Sequence, residues 1–366
     1  MKILSVFGTR PEAVKMAPIV KLLAETAGVE SRVCVTAQHR QMLDQVLDLF
    51  HIQPDYDLNL MRDNQSLAAL SAAIFTHLDP VFSDFKPGWV LAQGDTTTVA
   101  ITSLLAYFHR IKFGHVEAGL RTHDKWQPFP EEINRRVAGV VADMHFAPTE
   151  WSKQNLLHEG VDEAIIEVTG NTVIDALQFV AKQPEPQEIT ELTTTKLKTN
   201  KLILVTAHRR ENFGKPMENI CRALLELAGR GDVEIVYPVH LNPNVQEPVN
   251  RLLANKEHIT LLPPLDYLPL VHLMKHATLI LTDSGGIQEE APAFGIPTLV
   301  LRDVTERPEG VAAGTVKLAG TETSRIVEEA RRLLEDESAY AEMSRAANPY
   351  GDGHAAERIV QTLLEK

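Results

Sequence analysis

Lys2-Ile3-Leu4-Ser5-Val6-Phe7-Gly8-Thr9-Arg10-Pro11-Glu12 decides the fold. A short β-branched, apolar run meets a glycine, and a proline then opens a segment of helical period reaching Thr26. Gly8 allows a tight turn and Pro11 suits the first helical position. A strand handed over to a helix within a few residues is half of a βαβ unit, and the rhythm recurs downstream. Residues 32–37 precede a helical segment at 38–50, 89–93 precede 96–109, and 112–116 precede a helix beginning near Pro130. Likewise 145–147 lead into 150–158 and 165–168 into 172–181. This half predicts a doubly wound parallel sheet.

Residues 183–200 lose the apolar rhythm to prolines, charge and threonines, and belong to the boundary region. The alternation then restarts: strands at 202–206, 233–239, 279–282 and 297–301, with helices at 217–228, 244–253 and 287–294. Two Rossmann-like α/β domains are expected, residues 1–172 and 173–349, with a terminal helix at 350–366 crossing back to the first. No fixed-period repeat runs through the chain, which excludes solenoids and propellers.

The 366 residues suffice for two cores. Lys plus Arg number 36 against 49 Asp plus Glu, a formal charge of −13 that disfavours nucleic acid and anionic membranes as partners. The 44% hydrophobic and 23% charged fractions are those of an ordinary globular chain. Cys34 and Cys221 stand far apart in apolar runs, suggesting neither a disulfide framework nor a cysteine zinc site. The apolar run from Met1 to Phe7 is too short for a secretory signal, so a cytoplasmic location is expected.

Ligands of open α/β sheets bind beyond the carboxyl ends of strands, so the strand-to-helix junctions are the places to look for chemistry. In the first junction Arg10 and Lys15 either face the crevice or remain solvated charges. In Gln93-Gly94-Asp95-Thr96-Thr97-Thr98, Asp95 either caps the next helix or serves chemistry. His115-Val116-Glu117-Ala118-Gly119-Leu120-Arg121 puts a carboxylate where capping does not explain it. Glu131 and Glu132, after Pro128-Phe129-Pro130, either favour a helix macrodipole or act on substrate. His208-Arg209-Arg210-Glu211-Asn212 concentrates cations where a phosphate would sit. Asp283-Ser284-Gly285-Gly286-Ile287-Gln288-Glu289-Glu290 lets backbone amides approach a phosphate, with Glu289 or Glu290 aimed at ribose hydroxyls and Arg302 and Arg307 adding cations. Two matches are refused. Gly351-Asp352-Gly353-His354-Ala355-Ala356 fits a dinucleotide fingerprint with no strand before it, and Asp55-Tyr56-Asp57 resembles a metal-binding acidic pair but sits in a short loop after Pro54. No metal or cofactor is therefore expected.

These junctions, with Glu306-Arg307-Pro308-Glu309, together resemble the bacterial non-hydrolysing UDP-N-acetylglucosamine 2-epimerases, and the likeness runs from Lys2 into the C-terminal helix. The resemblance implies the glycosyltransferase-B type of fold with a deep interdomain cleft, a homodimer, and interconversion of UDP-GlcNAc and UDP-ManNAc for surface-polysaccharide precursors. It implies that Asp95, Glu117 and Glu131 are the acid/base residues and that His208 assists at the diphosphate. Ser284, Gly285, Gly286, Glu290 and Arg307 would hold UDP. Gln38, His39, Gln41, Arg209 and His240 match residues with which some relatives bind a second UDP-GlcNAc as activator, whereas Asn64 departs from an arginine of activated members.

The chemistry fits such an enzyme. C2 of the sugar has no neighbouring carbonyl to acidify its hydrogen, so direct deprotonation and return is implausible. Expelling the anomeric diphosphate as the C2 proton leaves gives a 2-acetamidoglucal to which UDP adds back. The lack of a credible dinucleotide fingerprint favours this route over oxidation by NAD. Elimination needs a base, an acid on the other face and cations for the leaving group, roles that Asp95, Glu117, Glu131, Arg10, Lys15, His208 and Arg307 can fill. A hydrolysing epimerase releasing ManNAc and UDP, a glycosyltransferase-B type GlcNAc transferase and a silent nucleotide-sugar sensor are the competing readings.

Overall fold

The computed structural model describes residues 1–37, 40–60, 62, 65–197 and 201–366; the side chains of residues 40, 41, 196 and 197 are outside this description. The chain forms two compact units, Met1–Ala176 with Tyr350–Lys366, and Leu177–Pro349. The division falls four residues after the expected 172/173, inside a continuous helix rather than in a linker.

The first unit contains β1 (Lys2–Phe7), α1 (Arg10–Glu25), β2 (Glu30–Val35), α2 (Arg40–Phe50), β3 (Tyr56–Asp57), α3 (Leu67–Phe85), β4 (Trp89–Gln93), α4 (Thr97–Phe108), β5 (Lys112–Val116), α5 (Glu131–Val141), β6 (Met144–Ala147), α6 (Glu150–His158), β7 (Ile166–Val168) and α7 (Thr172–Ala181). Its strands, all parallel, lie in the order β3-β2-β1-β4-β5-β6-β7. Helices covering both faces explain why β1 and β4 read as continuous apolar runs: Ile3 to Phe7 and Trp89 to Gln93 are buried without alternation. Leu70, Ile74, Leu78, Val81, Phe82 and Phe85 of α3 fill one layer of this core, each contributing about 1.5–3 kcal/mol of burial.

The second unit runs α8 (Gln187–Leu192), β8 (Lys201–Thr206), α9 (Lys215–Ala228), β9 (Val233–Pro238), α10 (Pro243–Leu253), β10 (Ile259–Leu262), α11 (Tyr267–His276), β11 (Leu279–Thr282), α12 (Gly285–Glu290), β12 (Thr298–Val300), α13 (Pro308–Ala312), β13 (Val316–Leu318), α14 (Thr323–Glu335) and α15 (Glu337–Ser344). Its parallel sheet has the order β10-β9-β8-β11-β12-β13. The last helix, α16 (Ala355–Glu365), belongs to the first unit and packs on α1. Among the described residues no helix is long and apolar enough to cross a membrane.

In both sheets the order in which the chain adds strands reverses at one point, between β1 and β4 and between β8 and β11. Chains leaving neighbouring strands for opposite faces open a crevice there. That topology decides which turns matter: those after β1, β4 and β5 in one unit, and those after β8 and β11 in the other.

Three sequence expectations change. The apolar-poor stretch at 183–200 contains a helix, α8, anchored by the buried Ile189. Asp55-Tyr56-Asp57 is not wholly loop: Tyr56–Asp57 adds an edge strand to β2, and Asp55 accepts the Val33 N–H at 2.8 Å. Pro11 is second rather than first in α1, because Thr9 is the cap and Arg10 opens the helix.

Candidate active site

In the first unit the turns after β1, β4 and β5 are tied together by carboxylates. Glu12 is buried and accepts the N–H groups of Gly8 and Thr9 at 2.8 and 2.7 Å, while the Thr96 hydroxyl donates to its other oxygen. Burial pushes the Glu12 carboxyl above its ordinary value against these hydrogen bonds. Thr96, not Asp95, caps α4, its hydroxyl accepting the Val99 N–H. Asp95 is thereby left for Arg135 of α5, whose guanidinium donates to it.

Glu117 follows β5 at φ +61°, in the left-handed region. Lys15 and Gln93 donate to its two oxygens, and Asn171 Nδ2 donates to Oε1 at 3.0 Å. A Cβ on Gly94 would stand 3.7 Å from Glu117 Oε2, so this carboxylate lies against the turn that carries Asp95. Gly119, at φ +87°, has no room for a side chain, since its Cβ would meet the Ser152 carbonyl at 2.2 Å. Glu131 opens α5 half-buried, with no side-chain hydrogen bond or ion pair among the described residues, and stands one turn from Arg135 on the same face. Its neighbour Glu132 is fully buried and accepts the Thr122 and His123 N–H groups, a loop-holding role. Arg10 is exposed.

In the second unit the buried Asp283 accepts the backbone N–H groups of His208 and Arg209, both at 2.8 Å, and Asn212 Nδ2 at 2.9 Å. This carboxylate joins the turn after β8 to the turn after β11. The His208 ring stacks on His240 with centroids 5.2 Å apart. Arg307 donates to Glu289, which fixes the guanidinium near α12. A Cβ on Gly285 would lie 3.6 Å from Arg209 Nη2 and 3.8 Å from Arg307 Nη2, so two guanidiniums converge on this glycine. The Ser284 hydroxyl makes no capping bond, and Gly286 is exposed. Glu290 accepts the Tyr267 hydroxyl at 2.6 Å.

Among known proteins, the family model for UDP-N-acetylglucosamine 2-epimerase matches residues 21–364. The chain belongs to the UDP-N-acetylglucosamine 2-epimerase family. The UDP-N-acetylglucosamine 2-epimerases of Yersinia pestis and Escherichia coli K12 are 58% and 57% identical to it, each alignment spanning 99% of this chain and 98% of the relative. The crystal structure of the Neisseria meningitidis UDP-GlcNAc 2-epimerase bound to UDP-GlcNAc superposes with a TM-score of 0.91 at 51% identity, over the whole of both chains. Its likeness extends the glycosyltransferase-B type of fold to this family member.

Against this family frame, the structure groups Lys15, Asp95 and Glu117 in the first unit and His208, Arg209, Gly285 and Arg307 in the second. Lys15 is an ion-pair partner of Glu117 rather than a solvated charge. Arg302 is buried between Glu211 and Glu306, and holds the Glu306 carboxyl at about 2 although burial alone would raise it. Gln38, His39 and Asn64 lie outside the described residues, as does the Gln41 side chain. Sequence reasoning missed Glu12, Gln93, Arg135, Asn171, Tyr267 and the role of Asp283. Asp283 and Gln93 stood in junctions already singled out. Asn171 could have been found by the same strand-end rule applied to the turn after β7.

Proposed function

We propose that this chain reversibly epimerises UDP-GlcNAc and UDP-ManNAc at C2 by a non-hydrolysing elimination and re-addition, supplying precursors for surface polysaccharide. The observation that carries it is the pair Asp95 and Glu117, on adjoining strand ends, each held by a cation. One carboxylate takes the C2 proton. The C–H electrons form the C1=C2 double bond of 2-acetamidoglucal, and the C1–O bond breaks, releasing UDP. Return requires a proton delivered to C2 from the opposite face and attack of the UDP oxygen on C1. Asp95, Glu117 and Glu131 are the proton-transfer groups, and Arg10 binds substrate. Arg209 and Arg307 over Gly285 suit the charge that grows on the leaving diphosphate, with His208 beside them. Ser284, Gly286 and Glu290 complete the UDP contacts.

The same reading places a second UDP-GlcNAc, as activator, at Gln38, His39, Gln41, Arg209 and His240. The stacking of His240 on the diphosphate-side His208 supports it. The chain is also proposed to act as a cytoplasmic homodimer.

The test is NMR of the purified protein with UDP-GlcNAc alone in heavy water. UDP-ManNAc carrying deuterium at C2 is expected, with traces of UDP and 2-acetamidoglucal. Free ManNAc would indicate hydrolysis, and unchanged substrate a binding protein. Started from UDP-ManNAc, the reaction should lag until a trace of UDP-GlcNAc is added, and equal initial rates would remove the activator site.

A further inference from the structure

The segment Thr169-Gly170-Asn171-Thr172-Val173-Ile174-Asp175 is pinned to the returning end of the chain. Asn171 N–H donates to the Tyr350 carbonyl at 2.7 Å. Arg358 donates to the Thr169 carbonyl at 2.9 Å, and Asp175 accepts the Ala355 and Ala356 N–H groups at 3.2 and 2.8 Å, at the start of α16. Gly170 and Gly351, at φ +87° and +126°, cross so closely that a Cβ on either would stand 3.3 Å from the other's Cα. The tight approach and the positive φ at both positions favour glycine on both sides.

Asn171 sits at the centre of this joint and is itself buried. Its Oδ1 accepts the Val173 N–H at 3.1 Å, which fixes the amide orientation and turns Nδ2 toward Glu117 Oε1. We propose that Asn171 is a positioning residue for the C2 chemistry: locked by the C-terminal return, it presents an N–H to Glu117 and, with Lys15 and Gln93, keeps that carboxylate aimed. Asn171 shares Oε1 with Lys15, adding a neutral donor beside the charged one. The inference rests on Glu117 being a proton-transfer group.

Asn171→Asp separates this role from a structural one. The aspartate still accepts the Val173 N–H and keeps the backbone bond to Tyr350, but it sets an oxygen against Glu117 Oε1. A second carboxylate at this buried position lowers the melting temperature, so turnover is compared at a temperature where circular dichroism shows both proteins fully folded. Turnover should fall by about tenfold or more with little change in KM for UDP-GlcNAc, and the acid limb of the pH–rate profile should move up by about one unit, because a like charge disfavours the ionised form. Asn171→Ala, which loses both the donor and the Val173 bond, should lower activity and melting temperature together. An unmoved acid limb and unchanged turnover in Asn171→Asp would overturn the proposal, and so would an activity loss that merely tracks lost stability. Carbon-13 NMR titration of the Glu117 carboxyl in both proteins reads the contact without turnover. If the wild type fails to epimerise, the function reading falls, and a Glu117 titration unmoved by Asn171→Asp independently sinks the contact.

Discussion

Glu117 draws donors from three elements, α1, β4 and the turn before α7, whereas Asp95 has the guanidinium of Arg135. Changing either carboxylate to its amide preserves volume and removes the proton-transfer group. For Asp95→Asn and Glu117→Gln, turnover should drop by about 10²–10⁴-fold, while UDP affinity by calorimetry stays nearly constant because Gly285 and Arg307 are untouched. Arg307→Ala should do the reverse. It removes one of two cations at Gly285, so UDP should bind at least about tenfold more weakly. Equal UDP affinity in Arg307→Ala would take that residue out of the diphosphate set. The charged residues at these junctions were legible because a charge at a strand end needs an explanation. Gln93 and Asn171 were not, since a neutral amide looks the same whether it caps a turn or steadies a carboxylate.

At the level of elements, the parallel register of β5 and β6 sets His115 directly beside His145, both buried. Burial lowers His115 from 6.5 to about 4 and His145 to about 3. His115 Nε2 nonetheless bonds the Gly94 carbonyl at 2.7 Å, holding the turn that leads to Asp95. Above pH 6.5 both states carry neutral histidines and the pair costs nothing. Below it the unfolded chain takes up protons that the fold refuses, so stability falls as pH drops toward 4. The loss is on the order of 3 kcal/mol per histidine when complete. Urea unfolding between pH 7 and pH 4.5 should show this slope, reduced in His145→Leu; an identical slope in that variant would remove His145 from the account. Element type was readable from apolar period, and the junction turns followed from it. The edge strand β3 and helix α8 were not, because two residues give no period and α8 is held through one buried isoleucine.

On the scale of the whole molecule, α4 and α5 pack against each other and leave Tyr107, Phe108, Ile133 and Val140 exposed, with Phe75 of α3 stacked on Phe108. If the proposed homodimer forms through these neighbouring helices, it buries these apolar side chains. Sedimentation should give a dimer for the wild type and a monomer for Phe108→Asp, and an unchanged dimer in that variant would move the interface elsewhere. What the sequence determined by itself was local in origin: alternating strand and helix periods, glycine and proline at the junctions, and charge at strand ends. Those signals sufficed for two parallel-sheet units and for Asp95, Glu117, His208 and Arg307 as residues of interest. Only the tertiary structure decided that Lys15 belongs to Glu117, that Arg302 is a buried strut and Arg307 a convergent cation, and that residues 350–358 return to lock Asn171. Apart from the local Arg302–Glu306 pair, those pairings join positions 18 to 189 residues apart. No local period encodes such contacts; they exist because strand order brings distant turns to the same edge of a sheet.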